Sequence, residues 1–133
     1  ALLRALTPDQ LAVARVSTRV PGNFQLRPER GPNDVRAGGI ALDRLDATQQ
    51  ALYHAIVQTF AETLTPALRE GLLARIRKAK PGALSFVWQG TTAAGRDHYF
   101  RLLGPSFVIE HWNRGNHIHS VWRDRQHEWG RGL

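Results

Sequence analysis

Two histidines separated by one residue, His117 and His119, are the strongest candidates for a functional site in this sequence. In an extended strand alternate side chains point to the same face, so the two imidazoles would lie on one face about 7 Å apart. The sequence has no Cys, which excludes thiolate metal sites, disulfides and cysteine nucleophiles. The pattern therefore predicts a divalent metal ion, Zn or Cu, bound by imidazole nitrogens.

A tight turn before His117 brings a carboxylate toward this pair. The turn carries the Asn and Gly residues that such turns favour. A two-residue loop at Arg114 and Gly115 would place Glu110 opposite His119. Glu110 is then either a third metal ligand or the acceptor that fixes the tautomer of one imidazole.

A second turn signal, Gly104-Pro105, predicts a preceding hairpin in which Tyr99 lies opposite Glu110. The two registers agree and divide the side chains between two faces. The polar face would hold Tyr99, Arg101, Glu110, His117 and His119, and the apolar face Phe100, Leu102, Phe107, Ile109, Ile118 and Trp122.

Two other histidines, His98 and His111, would pair at the margin of the apolar face and are further candidate ligands. A change of one residue in the first loop would move His98 to the polar face, and this alternative stays open.

The polar face also supplies candidate catalytic groups. Tyr99 could donate a proton, Arg101 could orient an anionic or carbonyl ligand, and Glu110 could act as a base if it is not a ligand. The alternative is a structural cluster, in which Glu110 bonds His119 and Arg101 neutralises Glu110.

Helices precede these strands. Capping signals at Thr7, Asp46 and Thr65 each open a segment with helical periodicity. At 133 residues the chain is one domain by length, with a helix and an irregular segment in 1–40, two helices in 41–82 and a sheet in 83–133. We expect an α+β fold in which N-terminal helices pack on a C-terminal antiparallel β-meander of about four strands. The strands are predicted at 84–89, 98–103, 107–112 and 117–123.

The formal net charge of +7 raises the question of an anionic partner. Basic residues form a dense run only between Arg75 and Lys80, and elsewhere they alternate with acidic ones, which favours a solvated basic surface over a nucleic-acid site. No apolar run approaches the length of a membrane span. A Ser-centred nucleophile elbow and a phosphate-binding glycine loop are also absent from the sequence.

The ordered motifs WQG at 88–90, HYFR at 98–101, GP at 104–105, FVIE at 107–110 and NHIHSVWRD at 116–124 resemble the DUF3500 family. The resemblance is to the C-terminal half of its members, which are about twice as long, so the chain is expected to be a fragment or a shortened relative. It implies an exported protein, periplasmic or extracellular, and a missing half-domain that another chain could supply. The His-rich motifs of the family have the character of a metal or catalytic site.

Two departures from the family pattern bear on this expectation. Where the family has Tyr-Asp-Asn after the Glu, this sequence has His111-Trp112-Asn113, so a carboxylate is replaced by an indole. The closing segment 128–133 also lacks a carboxylate that the family pattern carries. If the lost Asp is a ligand in the family, this chain either lacks metal binding or uses His111 in place of the Asp.

Two functions follow as hypotheses. The first is a metal-binding domain that could carry out metal-assisted hydrolysis with an HxH plus Glu site. The second is a non-catalytic binding or assembly module that contacts a partner chain or an acidic polymer through its Arg-rich surface.

Overall fold

The predicted helix starts are all present in the computed structural model, which describes residues 1–26, 31–35 and 37–127. The helices are α1 (Leu2–Ala5), α2 (Pro8–Ala14), α3 (Ala47–Ala61) and α4 (Pro66–Lys78). Thr7 caps α2 and Asp46 caps α3, each in a reciprocal capping box that satisfies two backbone N–H groups. None of the helices formed by the described residues is long and apolar enough to cross a membrane.

The four predicted strands form an antiparallel meander. They are β3 (Ser85–Gly90), β4 (His98–Leu103), β5 (Phe107–Arg114) and β6 (His117–Asp124). Two short strands that the sequence did not predict, β1 (Arg15–Ser17) and β2 (Ile40–Ala41), both pair with β3, and β1 does so in parallel. The strand order is β1-β3-β4-β5-β6. The α+β expectation is confirmed.

The helices cover one face of this sheet. Tyr53 and Val57 of α3 and Ile76 of α4 are buried against the apolar face of β3 to β6. Tyr53 also donates a hydrogen bond to the Leu103 carbonyl at 3.3 Å, which ties α3 to β4. The apolar stripe of each helix therefore packs on the apolar face of the strands, and together they form one core.

The opposite sheet face is covered in part by the irregular segment between β1 and β2. Leu26 and Val35 are buried there against Leu103 and Val108. This second, smaller core does not extend to the turn end of the β5-β6 hairpin, where residues 114–120 are exposed. Ile118, which was predicted to be a core residue, is 59% exposed, and that prediction is wrong.

Candidate functional site

The pairing of the last three strands determines which candidate side chains face each other. Trp112, rather than Glu110, lies opposite both Tyr99 and His119. The predicted register is therefore wrong by two residues in each hairpin. A shift of two residues keeps each side chain on its own face, so the polar and apolar faces have the predicted members.

The position of the second turn explains this displacement. Arg114 pairs with His117, so the loop residues are Gly115 and Asn116, one position later than predicted. Gly115 has a φ of 65°, a left-handed conformation that glycine adopts without steric cost. Gly115 lies in a turn, as predicted, but it is the first loop residue and not the second. The first hairpin shows the same displacement.

His117 and His119 come together at the exposed end of the polar face. Their ring centroids are 4.2 Å apart, and the Nε2 atoms of the two rings are in direct hydrogen-bonding contact. One Nε2 must carry the hydrogen and the other must accept it. A metal cation could take the place of that hydrogen, because both nitrogens already point to a common position.

Two aromatic side chains support the pair. The ring of Trp112 lies 5.7 Å from each imidazole, centroid to centroid, and Phe24 meets the ring of His119 edge-on at 5.3 Å. The Trp112 indole is itself fixed, because its Nε1–H donates to the Pro21 carbonyl at 2.8 Å. Trp112 and Phe24 therefore form an aromatic wall beside the histidine pair.

Glu110 lies on the same face but has a different environment. Its side chain is fully buried. One carboxylate oxygen accepts the Tyr99 hydroxyl at 2.5 Å, and the other accepts the backbone N–H groups of Gln25 and Leu26 at 3.1 and 2.9 Å. With three donors already bound, the carboxylate anchors the irregular segment to the sheet.

Tyr99 and Arg101 belong to this buried cluster. Arg101 is the cross-strand partner of Glu110 and is half-buried. Burial, and next the nearby Glu110 carboxylate, raise the pKa of the Tyr99 hydroxyl well above its usual value. Tyr99 therefore remains a protonated donor to Glu110, and the geometry of both residues is that of a structural network.

His98 and His111 stack on each other at the margin of the apolar face, with ring centroids 5.5 Å apart. His98 Nδ1–H donates to the Arg96 carbonyl, and His111 Nδ1 is hydrogen-bonded to the Ser120 hydroxyl, both at 2.8 Å. Burial, and next the charge of His98, lower the pKa of His111 below its usual value. The alternative register that would move His98 to the polar face is not found.

The seven candidate residues thus separate into three groups. His117 and His119 are exposed together, Glu110 and Tyr99 are buried together with Arg101 beside them, and the other two histidines lie on the opposite face. Within the part of the chain that the structure describes, no cluster of three or more His, Cys, Asp or Glu side chains could hold a metal ion.

Sequence reasoning missed two contributors. Phe24, in the irregular segment, packs on His119 across a long separation in sequence, and its only sequence signal is an apolar side chain among polar neighbours. The Asp124 carboxylate accepts from the Arg75 guanidinium of α4 at 2.5 Å, a contact for which the sequence carries no local signal.

Comparison with known protein families gives a match over nearly the whole chain. Residues 1–131 match the family described as "Protein of unknown function (DUF3500)". The chain belongs to the DUF3500 family. Because the match runs over essentially the whole chain, the narrower expectation of a resemblance to the C-terminal half alone is slightly off. No curated protein and no solved structure matches this DUF3500 chain.

Proposed function

We propose that this DUF3500 chain binds a divalent transition-metal ion through His117 and His119. The observation that carries the proposal is the convergence of the two Nε2 atoms at an exposed position on one strand face. Nitrogen ligands without thiolate favour Zn or Cu over Mg or Ca, which prefer oxygen.

The other polar groups of the sheet are less suited to the metal. Glu110 already accepts three hydrogen bonds in a fully buried setting, so removing it from them would leave buried donors without an acceptor. His98 and His111 are part-buried, and their rings are stacked on each other in an aromatic row with Trp88 and Phe100. His117 and His119, in contrast, are exposed, and their Nε2 atoms are directed at each other.

Two protein ligands leave coordination positions open. A bound Zn or Cu ion would supply Lewis acidity and lower the pKa of a coordinated water. On the protein side, Trp112 and Phe24 would hold the imidazoles in place and shield one side of them from solvent. We assign Glu110 to anchoring the irregular segment and not to the role of base in a hydrolytic reaction.

Isothermal titration calorimetry with Zn and Cu tests this proposal. We expect binding to the parent chain, and a loss of about tenfold or more in affinity in His117→Ala and in His119→Ala, since each removes a ligand. His127→Ala is the matched control, because His127 is also an exposed histidine. No binding to the parent, or an equal loss in the control, would contradict the proposal.

A binding module is the second candidate. Its support is the exposed basic group at the end of α4, formed by Arg77, Lys78 and Lys80. Charges of this kind favour an acidic polymer or an acidic partner surface, and such binding weakens as salt rises. Binding to heparin that falls with salt and with Arg77→Ala/Lys78→Ala, while metal binding is absent, would favour this function over the first.

A further inference from the structure

β6 forms one edge of the sheet. Within the residues that the structure describes, β6 pairs with β5 and with no other strand. Its first four residues are exposed, and they include Ile118, one of the few exposed large apolar side chains. An exposed apolar edge strand is a template for pairing with another strand.

Backbone geometry shows which groups of this edge are available. Arg114 and His117 close a two-residue turn, which makes them a hydrogen-bonded pair. Pairs alternate along an antiparallel ladder, so Asn113 and Ile118 form a non-hydrogen-bonded pair. The N–H and C=O of Ile118 therefore point away from β5, toward the open edge.

The proposed metal site is incomplete at the same place. Closed zinc sites have four ligands, but His117 and His119 provide two, and no third His, Asp or Glu among the described residues joins them. Beyond the described residues, further ligands can come from solvent, from a bound molecule or from another chain.

We propose that a second copy of this chain completes the metal site by pairing antiparallel along β6, with Ile118 on the two-fold axis. This inference rests on the proposed metal-binding function. The two Ile118 residues would exchange backbone hydrogen bonds through their outward N–H and C=O groups. His117 of each copy would then lie directly opposite His119 of the other copy. Directly opposed residues share a face of the sheet.

This register has consequences on both faces of the extended sheet. On one face, four imidazoles would surround one position, which is a ligand set suited to Zn or Cu. On the other face, the two exposed Ile118 side chains would pack against each other. The overlap extends over only a few residues before each chain turns, and each copy carries a net charge of +7. The pairing is therefore expected to depend on the metal.

Sedimentation velocity and metal analysis of the same samples test the inference. We expect a 14.9 kDa monomer in chelator and a dimer with one metal ion per two chains when Zn or Cu is added. A monomer that binds one ion per chain would overturn the inference and leave the proposed function standing. An absence of metal binding in the parent chain would overturn both.

Two variants test strand pairing at the β6 edge without removing the metal ligands. Ile118→Lys and Ile118→Pro retain both histidines, and proline removes an N–H that does not bond to β5, so both are expected to fold and to stay monomeric with metal. Leu68→Lys is the matched control, since Leu68 is an equally exposed apolar residue on α4, and it should dimerise like the parent. A metal-dependent dimer that persists in both Ile118 variants would overturn the inference.

Discussion

The polar face of the sheet has two ends that differ in how their polar atoms are satisfied. At the buried end, Glu110 is fully enclosed and each of its oxygens accepts at least one hydrogen bond from the protein. At the exposed end, the Nε2 atoms of His117 and His119 form a hydrogen bond with each other. The same face thus carries a saturated structural network and an open pair of ligand atoms, and titratable residues alone do not distinguish them.

The irregular segment accounts for this difference. Its backbone at Gln25 and Leu26 covers Glu110, while Phe24 meets His119 with the edge of its ring only. Burial without partners is costly for a carboxylate, so the covered end had to be fully hydrogen-bonded. The uncovered end faces solvent and is under no such requirement.

The largest effect is expected from removing the carboxylate at the buried end. Glu110→Ala would leave the Tyr99 hydroxyl and two backbone N–H groups without their acceptor and should lower the free energy of unfolding by about 4 kcal/mol. Urea denaturation followed by circular dichroism measures this change.

His119→Ala is the counterpart at the exposed end. It removes a solvent-exposed ring and should change the free energy of unfolding by about 0.5 kcal/mol or less in chelator. Similar stability losses in the Glu110 and His119 variants would show that the two ends do not differ as described.

Two glycines extend the comparison to the backbone. Gly39 has a φ of 72°, and a Cβ there would lie 2.1 Å from the Phe86 carbonyl oxygen, so Gly39→Ala should cost about 3 kcal/mol. Gly115 has a similar φ of 65° but open space around it, so Gly115→Ala should cost about 1 kcal/mol. Thermal or urea unfolding of the two variants gives the difference, and equal costs would mean that packing at Gly39 is not close.

A smaller, pH-dependent effect is expected on the opposite face. Burial lowers the pKa of His111, and also that of His54, so the folded state holds both rings neutral. In acid the unfolded chain therefore binds more protons than the folded one. The contribution of these two rings to the free energy of unfolding is fully present above the unfolded histidine pKa of about 6.5. It falls as the pH drops through that value toward the lowered folded pKa.

Unfolding by urea at pH 7.5 and pH 5.5 measures this loss. His111→Gln should reduce it, because one of the two rings no longer titrates. A parent chain whose stability rises on acidification would contradict the sign.

Local sequence signals were sufficient for most of the fold. Thr7 and Asp46 mark helix starts through capping boxes that need only neighbouring residues, and the alternation of apolar residues from 98 to 123 gives the strands and their faces. Strands β1 and β2 were missed because two or three residues carry no periodicity. Their pairing depends on β3, which lies far along the chain.

The site was less accessible to sequence reasoning. The spacing of His117 and His119 predicts that they share a face, and it does so whatever the register. The role of Glu110 depends on backbone N–H groups 84 and 85 residues away, and a main-chain donor has no signature in the sequence. Long-range contacts of this kind decide whether a carboxylate is a ligand or an anchor.

The most direct test of the metal site is a Zn titration of ¹⁵N-labelled protein followed by imidazole nitrogen spectra, which resolve the individual rings. We expect the Nε2 resonances of His117 and His119 to move to metal-bound positions together, while those of His98 and His111 stay where they are. Shifts confined to His98 and His111, or no imidazole shift at saturating Zn, would contradict the assignment of His117 and His119 as metal ligands.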